Sequence, residues 1–336
     1  MRSELEETAQ HLVAEGRGIL AADESTTTIG KRLAAIGVEN TFEMRRAYRD
    51  LLFSAPGLGN FISGVIMYDE TIRQPASDGT PFVTLLPHHN ILPGIKVDTG
   101  VSRLAGCPGE TVTEGLDGLR ERLREYHGLG ARFAKWRAVI TIGDGIPSRA
   151  CLSANAHALA RYAALCQETG LAPIVEPEVL MDGAHDIDTC EEVTTRTLRC
   201  VFDALYDQRV VLEGMLLKPN MVVSGKENDH QAGIEEVAER TLRCLMRTVP
   251  AAVPGIVFLS GGQSSEDATA HLDAMNKGYG PHPWRLSFSY GRALQEQALK
   301  AWRGQEDNLG AAQERLLRRA RLNSLATRGE YLGEAA

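Results

Sequence analysis

The chain has 336 residues, 43% of them hydrophobic and 24% charged, with a net charge of −8, the balance of a globular enzyme and not of a disordered or membrane protein. The acidic excess excludes a general nucleic-acid binder, which needs clustered basic surface. No apolar run reaches the ~18 residues of a spanning helix, and Met1 to Glu7 lacks the basic, then apolar order of a secretion signal, so no membrane contact and a cytoplasmic location are expected.

In chain order, eight short runs read as strands: Gly18 to Asp23, Phe61 to Tyr68, Ile91 to Asp98, Ala131 to Ile142, Ala172 to Glu178, Val211 to Met221, Gly255 to Gly262, and Arg285 to Gly291. Helical periodicity fills the intervals at Glu114 to Tyr126, Ala154 to Glu168, Glu191 to Leu205, Ile234 to Met246 and Ser265 to Asn276. Ala293 to Ala301 and Leu309 to Leu322 read as closing helices, followed by a short tail over about 323–336. Strand alternating with helix implies a parallel sheet. Eight repeats, with starts roughly 30 to 45 residues apart, predict a closed (β/α)8 TIM barrel as a single domain, 1–336, and not an open doubly wound sheet.

Active sites of such barrels form at the carboxyl ends of the strands, and polar residues collect there: Asp23, Lys96, Lys218, Ser260 and Gly261, then Ser289 to Arg292. Strand alternation puts Lys135 with Arg137 on one face and Glu176 with Glu178 on another. Lys218 closes the otherwise apolar run Met215-Leu216-Leu217. An isolated lysine there is most often a strand-end residue whose ammonium reaches water. So many buried charges of both signs carry a desolvation penalty that needs a purpose, and neighbouring cations (Lys96, Lys135, Arg137 and Arg292) would favour an uncharged, nucleophilic Lys218. Asp23, Glu176 and Glu178 would then handle protons. Gly261-Gly262-Gln263-Ser264 offers unshielded amides, and Gly291-Arg292 adds a forked cation, which together predict a phosphate site.

The nine histidines show no metal-ligand spacing, and Gly57-Leu58-Gly59-Asn60 and Gly128-Leu129-Gly130 fail the dinucleotide fingerprint. Neither a metal nor a nucleotide cofactor is expected. Cys107, Cys151, Cys166, Cys190, Cys200 and Cys244 have no paired short spacing and read as reduced thiols.

From about Leu5 to Tyr331 the chain resembles class I fructose-1,6-bisphosphate aldolase. The ordered motifs that carry the resemblance are Gly18 to Ser25, Gly94 to Asp98, Phe133 to Arg137, Ile174 to Glu178, Leu212 to Met221, Phe258 to Ser264 and Phe288 to Gln295. The resemblance implies that Lys218 forms the Schiff base, Asp23 and Glu176 act as acid/base carboxylates, and Lys135 is an essential cation oriented by Glu178. It further implies that Ser260, Gly261, Gly262, Ser289, Gly291 and Arg292 hold the phosphate on the C1 side of the ketose. Ser25, Lys31, Arg32, Lys96 and Arg137 would then contact the rest of the sugar and its second phosphate. A sugar bisphosphate substrate, no cofactor and a homotetramer follow from the same likeness. Two features depart from the family: Thr28 stands where serine is usual, and the sequence stops about five residues after Tyr331, short of a longer tail that ends in tyrosine. Two alternatives stay open: a Schiff-base aldolase preferring fructose 1-phosphate or sedoheptulose 1,7-bisphosphate, and a non-catalytic scaffold that kept the fold.

Overall fold

A computed structural model describes residues 2–278 and 280–334; Ala335 and Ala336, the end of the expected tail, lie outside them. Along the chain run α1 (Arg2–Leu12), β1 (Gly18–Ala22), α2 (Thr26–Ala34), α3 (Phe42–Phe53), β2 (Ile62–Met67), α4 (Asp69–Ile72) and α5 (Phe82–His88). There follow β3 (Leu92–Lys96), β4 (Gly100–Arg103), β5 (Thr111–Glu114), α6 (Leu119–Leu129), β6 (Phe133–Ile140), α7 (Arg149–Glu168) and β7 (Ala172–Val179). The last third holds α8 (Ile187–Asp207), β8 (Leu216–Leu217), α9 (Ile234–Thr248), β9 (Gly255–Phe258), α10 (Ser265–Gly278), β10 (Arg285–Tyr290), α11 (Arg292–Trp302) and α12 (Leu309–Ala326).

Eight parallel strands close in the order β1-β10-β9-β8-β7-β6-β3-β2, so the expected (β/α)8 barrel is the observed fold. Side-chain caps fix where the long helices begin. The Ser148 hydroxyl accepts from Cys151 N at 3.1 Å ahead of α7, and Asp186 Oδ1 accepts from Thr189 N at 2.8 Å ahead of α8. Both helices therefore start four to five residues earlier than periodicity suggested.

Three expectations need correction. The sixth strand is not Val211 to Met221: residues 212–214 form a 3-10 turn, and only Leu216–Leu217 pair as β8. The Gln167 side chain holds this turn, bonding Val211 O at 2.7 Å and Val211 N at 2.9 Å. Beyond it Pro219 has no N–H to donate to a ladder, and the hydrogen bond of Val179 N goes to the side chain of Asn220, whose Oδ1 accepts it at 3.0 Å. The helix expected from Glu114 starts at Leu119, because residues 111–114 are β5, paired antiparallel with β4. Gly115 and Gly118, at φ 128° and 64°, bar a helix from running through them. Finally, the last helix continues to Ala326, past the expected start of the tail.

The barrel interior divides along its axis. Toward the amino ends of the strands it is apolar: Ile19, Ile66, Phe133, Ala172, Ile174, Leu216 and Val257 pack with Leu5, Ala9, Leu12 and Val13 of α1 and its exit, which plug the floor. Glycines make room for this plug. A Cβ on Gly94 would meet Phe133 Cζ at 2.2 Å, and one on Gly64 would meet Leu12 Cδ2 at 2.5 Å. Continuing the same alternation upward leads from Gly94 to Lys96, from Phe133 to Lys135, from Ile174 to Glu176 and from Leu216 to Lys218. Charges thus stand on a packed apolar floor. Phe133→Ala is expected to destabilise the protein by about 3–5 kcal/mol in urea unfolding, and Gly94→Val by about 1–3 kcal/mol through overpacking. A loss below about 1 kcal/mol for the first would contradict a filled floor.

Candidate active site

At the carboxyl ends of the strands lies a cleft of about 840 Å³. Lys218 Nζ sits inside it, with its side chain 4% exposed, 3.2 Å from Glu176 Oε1. The other oxygen of that carboxylate, Oε2, is 3.2 Å from Lys135 Nζ, and Lys135 Nζ is 2.7 Å from Asp23 Oδ2. One chain of ion pairs, Lys218–Glu176–Lys135–Asp23, joins β8, β7, β6 and the end of β1. The backbone fixes its first member: Lys218 N donates to Val175 O at 2.8 Å, so Lys218 stays in register with the next strand although β8 is only two residues long.

Two further pairs flank the chain. Lys96 Nζ lies 2.7 Å from Asp98 Oδ1, and Arg137 Nε donates to Glu178 Oε2. Glu178 therefore serves Arg137 and not Lys135, as had been expected: Arg137 and Glu178 point the same way from adjacent strands, and β6 and β7 are offset so that Arg137 lies opposite Glu176. The ring of cations expected to repel charge from Lys218 is also corrected. Lys96, Lys135, Arg137 and Lys218 face Asp98, Asp23, Glu178 and Glu176, four against four, and Arg292 stands exposed at the head of α11. The site is charge-balanced, and the group nearest Lys218 is a carboxylate.

These contacts set protonation. Burial by itself would raise the Asp23 carboxyl, but the charges of Lys135 and Lys218 outweigh it and hold the group far below the usual carboxylate range. Burial likewise opposes charge on Lys135, yet Asp23, Glu176 and Asp98 keep its ammonium well above the ordinary lysine value. Arg137 is held above its normal value in the same way, burial being overcome by Glu178. Asp23 and Lys135 are thus ionised at neutral pH.

Opposite the lysines, the chain after β9 turns sharply, with Gly261 and Gly262 at φ 56° and 107° and Gln263 N bonding back to Ser260 O at 2.9 Å. Only glycine adopts that path without strain. Ser289 Oγ at the end of β10 is buried with no partner among the described residues and lines the same cleft. Gly291 precedes α11 and offers no side-chain cap. A buried orphan hydroxyl beside uncapped amides suits an anionic ligand.

Of the residues singled out for a site role in the sequence, Ser25, Arg32 and those on strands or strand ends line the cleft; Lys31 does not, and is exposed on α2. Ser25 caps α2, its hydroxyl accepting from Thr28 N at 3.3 Å and lying 3.1 Å from Thr28 Oγ1. Sequence reasoning missed Glu24 and Asp98. Glu24 is 4% exposed and pairs with Arg32 and with the buried Arg49, whose Nη2 is 2.7 Å from Oε2. Gln295 of α11 bonds both Glu24 Oε1 at 3.0 Å and Ala21 O at 2.7 Å, tying the start of the first loop to the phosphate end. The only available signal was Glu24 standing next to Asp23, because Arg49 and Gln295 lie on outer helices. Among the described residues no group of three or more histidine, cysteine, aspartate or glutamate side chains is arranged to hold a metal ion.

Comparison with known proteins agrees with this geometry. The family described as fructose-bisphosphate aldolase class-I matches residues 4–336. A protein of Xanthomonas axonopodis pv. citri, named as a probable fructose-bisphosphate aldolase class 1, is 61% identical over 331 residues, covering 98% of this chain and 99% of that protein. Cytosolic fructose-bisphosphate aldolase 6 of Arabidopsis thaliana is 57% identical over 332 residues, 99% of this chain and 92% of its own. The crystal structure of fructose-bisphosphate aldolase from Plasmodium falciparum, in complex with TRAP and a small-molecule inhibitor, superposes with a TM-score of 0.97 at 53% identity, covering 98% of this chain and 96% of that one. A buried lysine paired with a carboxylate at the mouth of a (β/α)8 barrel, together with these likenesses, establishes that the chain belongs to the class-I fructose-bisphosphate aldolase family.

Proposed function

We propose that this enzyme reversibly cleaves fructose 1,6-bisphosphate to dihydroxyacetone phosphate and glyceraldehyde 3-phosphate through a Schiff base on Lys218. The observation that carries the proposal is the 3.2 Å contact between Lys218 Nζ and Glu176 in a site almost closed to solvent. Glu176 is within reach to take the proton that Lys218 must lose before Nζ attacks the C2 ketone, and to return it to the departing water when the carbinolamine becomes an iminium. The iminium then withdraws electrons from the C3–C4 bond. Asp23, ionised because Lys135 neutralises it, accepts the C4 hydroxyl proton. As that bond breaks, its electrons form the enamine and the aldehyde leaves; protonation and hydrolysis release the ketone phosphate and restore Lys218. Lys135, fixed between two carboxylates, needs no reorganisation to stabilise developing negative charge.

In this reading the C1 phosphate lies against Ser260, Gly261, Gly262, Ser289, Gly291 and Arg292, supported by the orphan hydroxyl of Ser289. Lys96, Arg137, Ser25 and Arg32 line the remainder of the cleft and would contact the rest of the sugar. A Cβ on Gly291 would come within 4.0 Å of Arg32 Nη2, which favours a share for Arg32 in the C1-phosphate end as well. Cytosolic relatives and the lack, among the described residues, of a helix long and apolar enough to cross a membrane support a cytoplasmic location. For a homotetramer, the supporting feature is a second surface cleft lined by Tyr206, which is 83% exposed. Arg2, Arg247 and Glu213 border it, a mixed-charge rim that can complement itself across a two-fold axis. Sedimentation is expected to give four times the 36.6 kDa protomer mass; a monomer at micromolar concentration would sink the assembly.

The chemistry is tested by adding dihydroxyacetone phosphate and borohydride. A stable secondary amine on Lys218 is expected by peptide mass mapping, and none in Lys218→Met. Folded wild-type protein that forms no adduct would leave the scaffold reading. The ratio of kcat/KM for fructose 1,6-bisphosphate and fructose 1-phosphate then settles substrate preference.

Lys135→Met is expected to lower kcat by about 10²- to 10³-fold and to destabilise the protein by about 3–5 kcal/mol near pH 7, since buried Asp23 loses its paired cation and Glu176 one of its two. In the wild type, the depressed Asp23 pKa contributes stability that is present above the unfolded value and lost as pH falls through the folded one. Without Lys135, only the charges of Lys218 and Lys96 oppose burial at Asp23 and the depression weakens, so the deficit in urea unfolding should be full above the unfolded carboxylate value, about 3.9, and shrink in the window below it. A deficit constant over that window contradicts the argument.

A further inference from the structure

Lys226 lies outside the residues that line the cleft, yet its ammonium lies at the back of the glycine turn. A Cβ built on Gly262 would be 2.8 Å from both Lys226 Cε and Nζ, and 3.2 Å from Met181 Sδ. The backbone at Lys226 is not a free loop. Gly225 N donates to His185 O at 2.8 Å, Lys226 N to Met181 O at 2.7 Å and Glu227 N to Gly183 O at 3.0 Å, zipping the segment after β8 to the segment after β7. The approach is close enough that a Cβ on Gly225 would lie 2.2 Å from Gly183 O. Lys226 is thereby presented to Gly262 from a fixed base.

Its charge partner is Asp182, 3.1 Å from Nζ, with the two side chains 43% and 61% exposed. Asp182 itself lines the cleft. An uncompensated carboxylate on that wall would repel a phosphate dianion, and Lys226 neutralises it while standing against the turn whose amides meet the phosphate.

We propose that Lys226 is an accessory cation of the C1-phosphate subsite, acting from behind Gly262 to raise affinity for phosphorylated ligands and to cancel the opposing charge of Asp182. The inference rests on the reading of Ser260, Gly261 and Gly262 as the phosphate turn. Lys226 touches no reacting atom, so its effect belongs in binding. A partly exposed charge acting across a few ångströms predicts an effect of roughly 3- to 10-fold that weakens as salt screens it.

Binding of inorganic phosphate, measured by titration calorimetry at low ionic strength, tests the subsite without relying on turnover. Lys226→Met should raise the Kd by roughly 3- to 10-fold, Lys226→Arg should keep it near the wild-type value, and Asp182→Asn should lower it or leave it unchanged. In steady-state assays Lys226→Met should raise KM for fructose 1,6-bisphosphate and fructose 1-phosphate by the same factor, since both carry the C1 phosphate, with the change falling in KM and not in kcat. The difference should narrow at high salt. Unchanged phosphate affinity in Lys226→Met overturns the proposal, as does a loss of kcat and thermal stability that Lys226→Arg does not rescue, which would mean that the side chain only holds the loop. Borohydride trapping run alongside separates the two readings: failure to trap Lys218 counts against the aldolase chemistry, while the phosphate titration still decides the role of Lys226.

Discussion

The Glu176 carboxylate, shared between Lys218 and Lys135, is the contact on which the remaining geometry depends. Four buried or half-buried cations and four carboxylates could not be desolvated singly, because each unpaired ion would be penalised by several kcal/mol. They are tolerated as an array in which each charge has a partner a strand or a loop away. On the proposed mechanism the array also does the chemistry: a carboxylate touching two lysines can pass a proton to one while the other stays charged. Lys135 stays charged because Asp23 holds it from the other side. Taking any member out therefore alters the protonation of its neighbours as well as removing its own function.

Such an array needs a stiff support, and the lower half of the barrel supplies it. Phe133 fills the space left by Gly64 and Gly94, and α1 closes the floor beneath. Lys135 is two residues above Phe133 on the same face of β6, and Lys96 is two above Gly94 on β3. The side chains that fill the floor and those that carry the charges belong to the same strands in the same alternation, so a slip of one residue in register would turn the lysines and the apolar plug together out of the barrel toward the helices.

The barrel was legible in the sequence because its strands alternate with amphipathic helices, and the parity of Lys135 with Arg137 and of Glu176 with Glu178 could be read from strand geometry alone. What escaped was tertiary. The β4–β5 hairpin fell between the expected third strand and the helix expected from Glu114, which takes in only the last residue of β5; Gly115 and Gly118, both at positive φ, separate the hairpin from α6. The run 211–221 has strand composition throughout, but Pro219 and the grip of Gln167 on Val211 limit pairing to two residues. Glu24 was passed over because a carboxylate in a loop resembles solvated polarity until its cation Arg49 is brought in from α3; Asp98 was taken only as the end of its strand, although its cation, Lys96, stands two residues before it. Lys31 came from the family resemblance alone, and it stands exposed outside the residues that line the cleft.

The rim obeys a different rule from the centre. In the centre, pairs are buried and their partners fixed by strand register; at the rim, the partners of Lys226 come from the segments after β7, β8 and β9, and the pair is half exposed. A pair of that kind contributes little to stability, so the fold places few demands on which residue occupies the position. On the proposal above, its influence would fall instead on the potential that a phosphate meets as it approaches Gly262. On the proposed mechanism, buried charges decide whether carbon–carbon cleavage can occur at all, while exposed ones would adjust how readily a phosphorylated ligand is held, and because the second group is hardly coupled to folding, it can vary without disturbing the first.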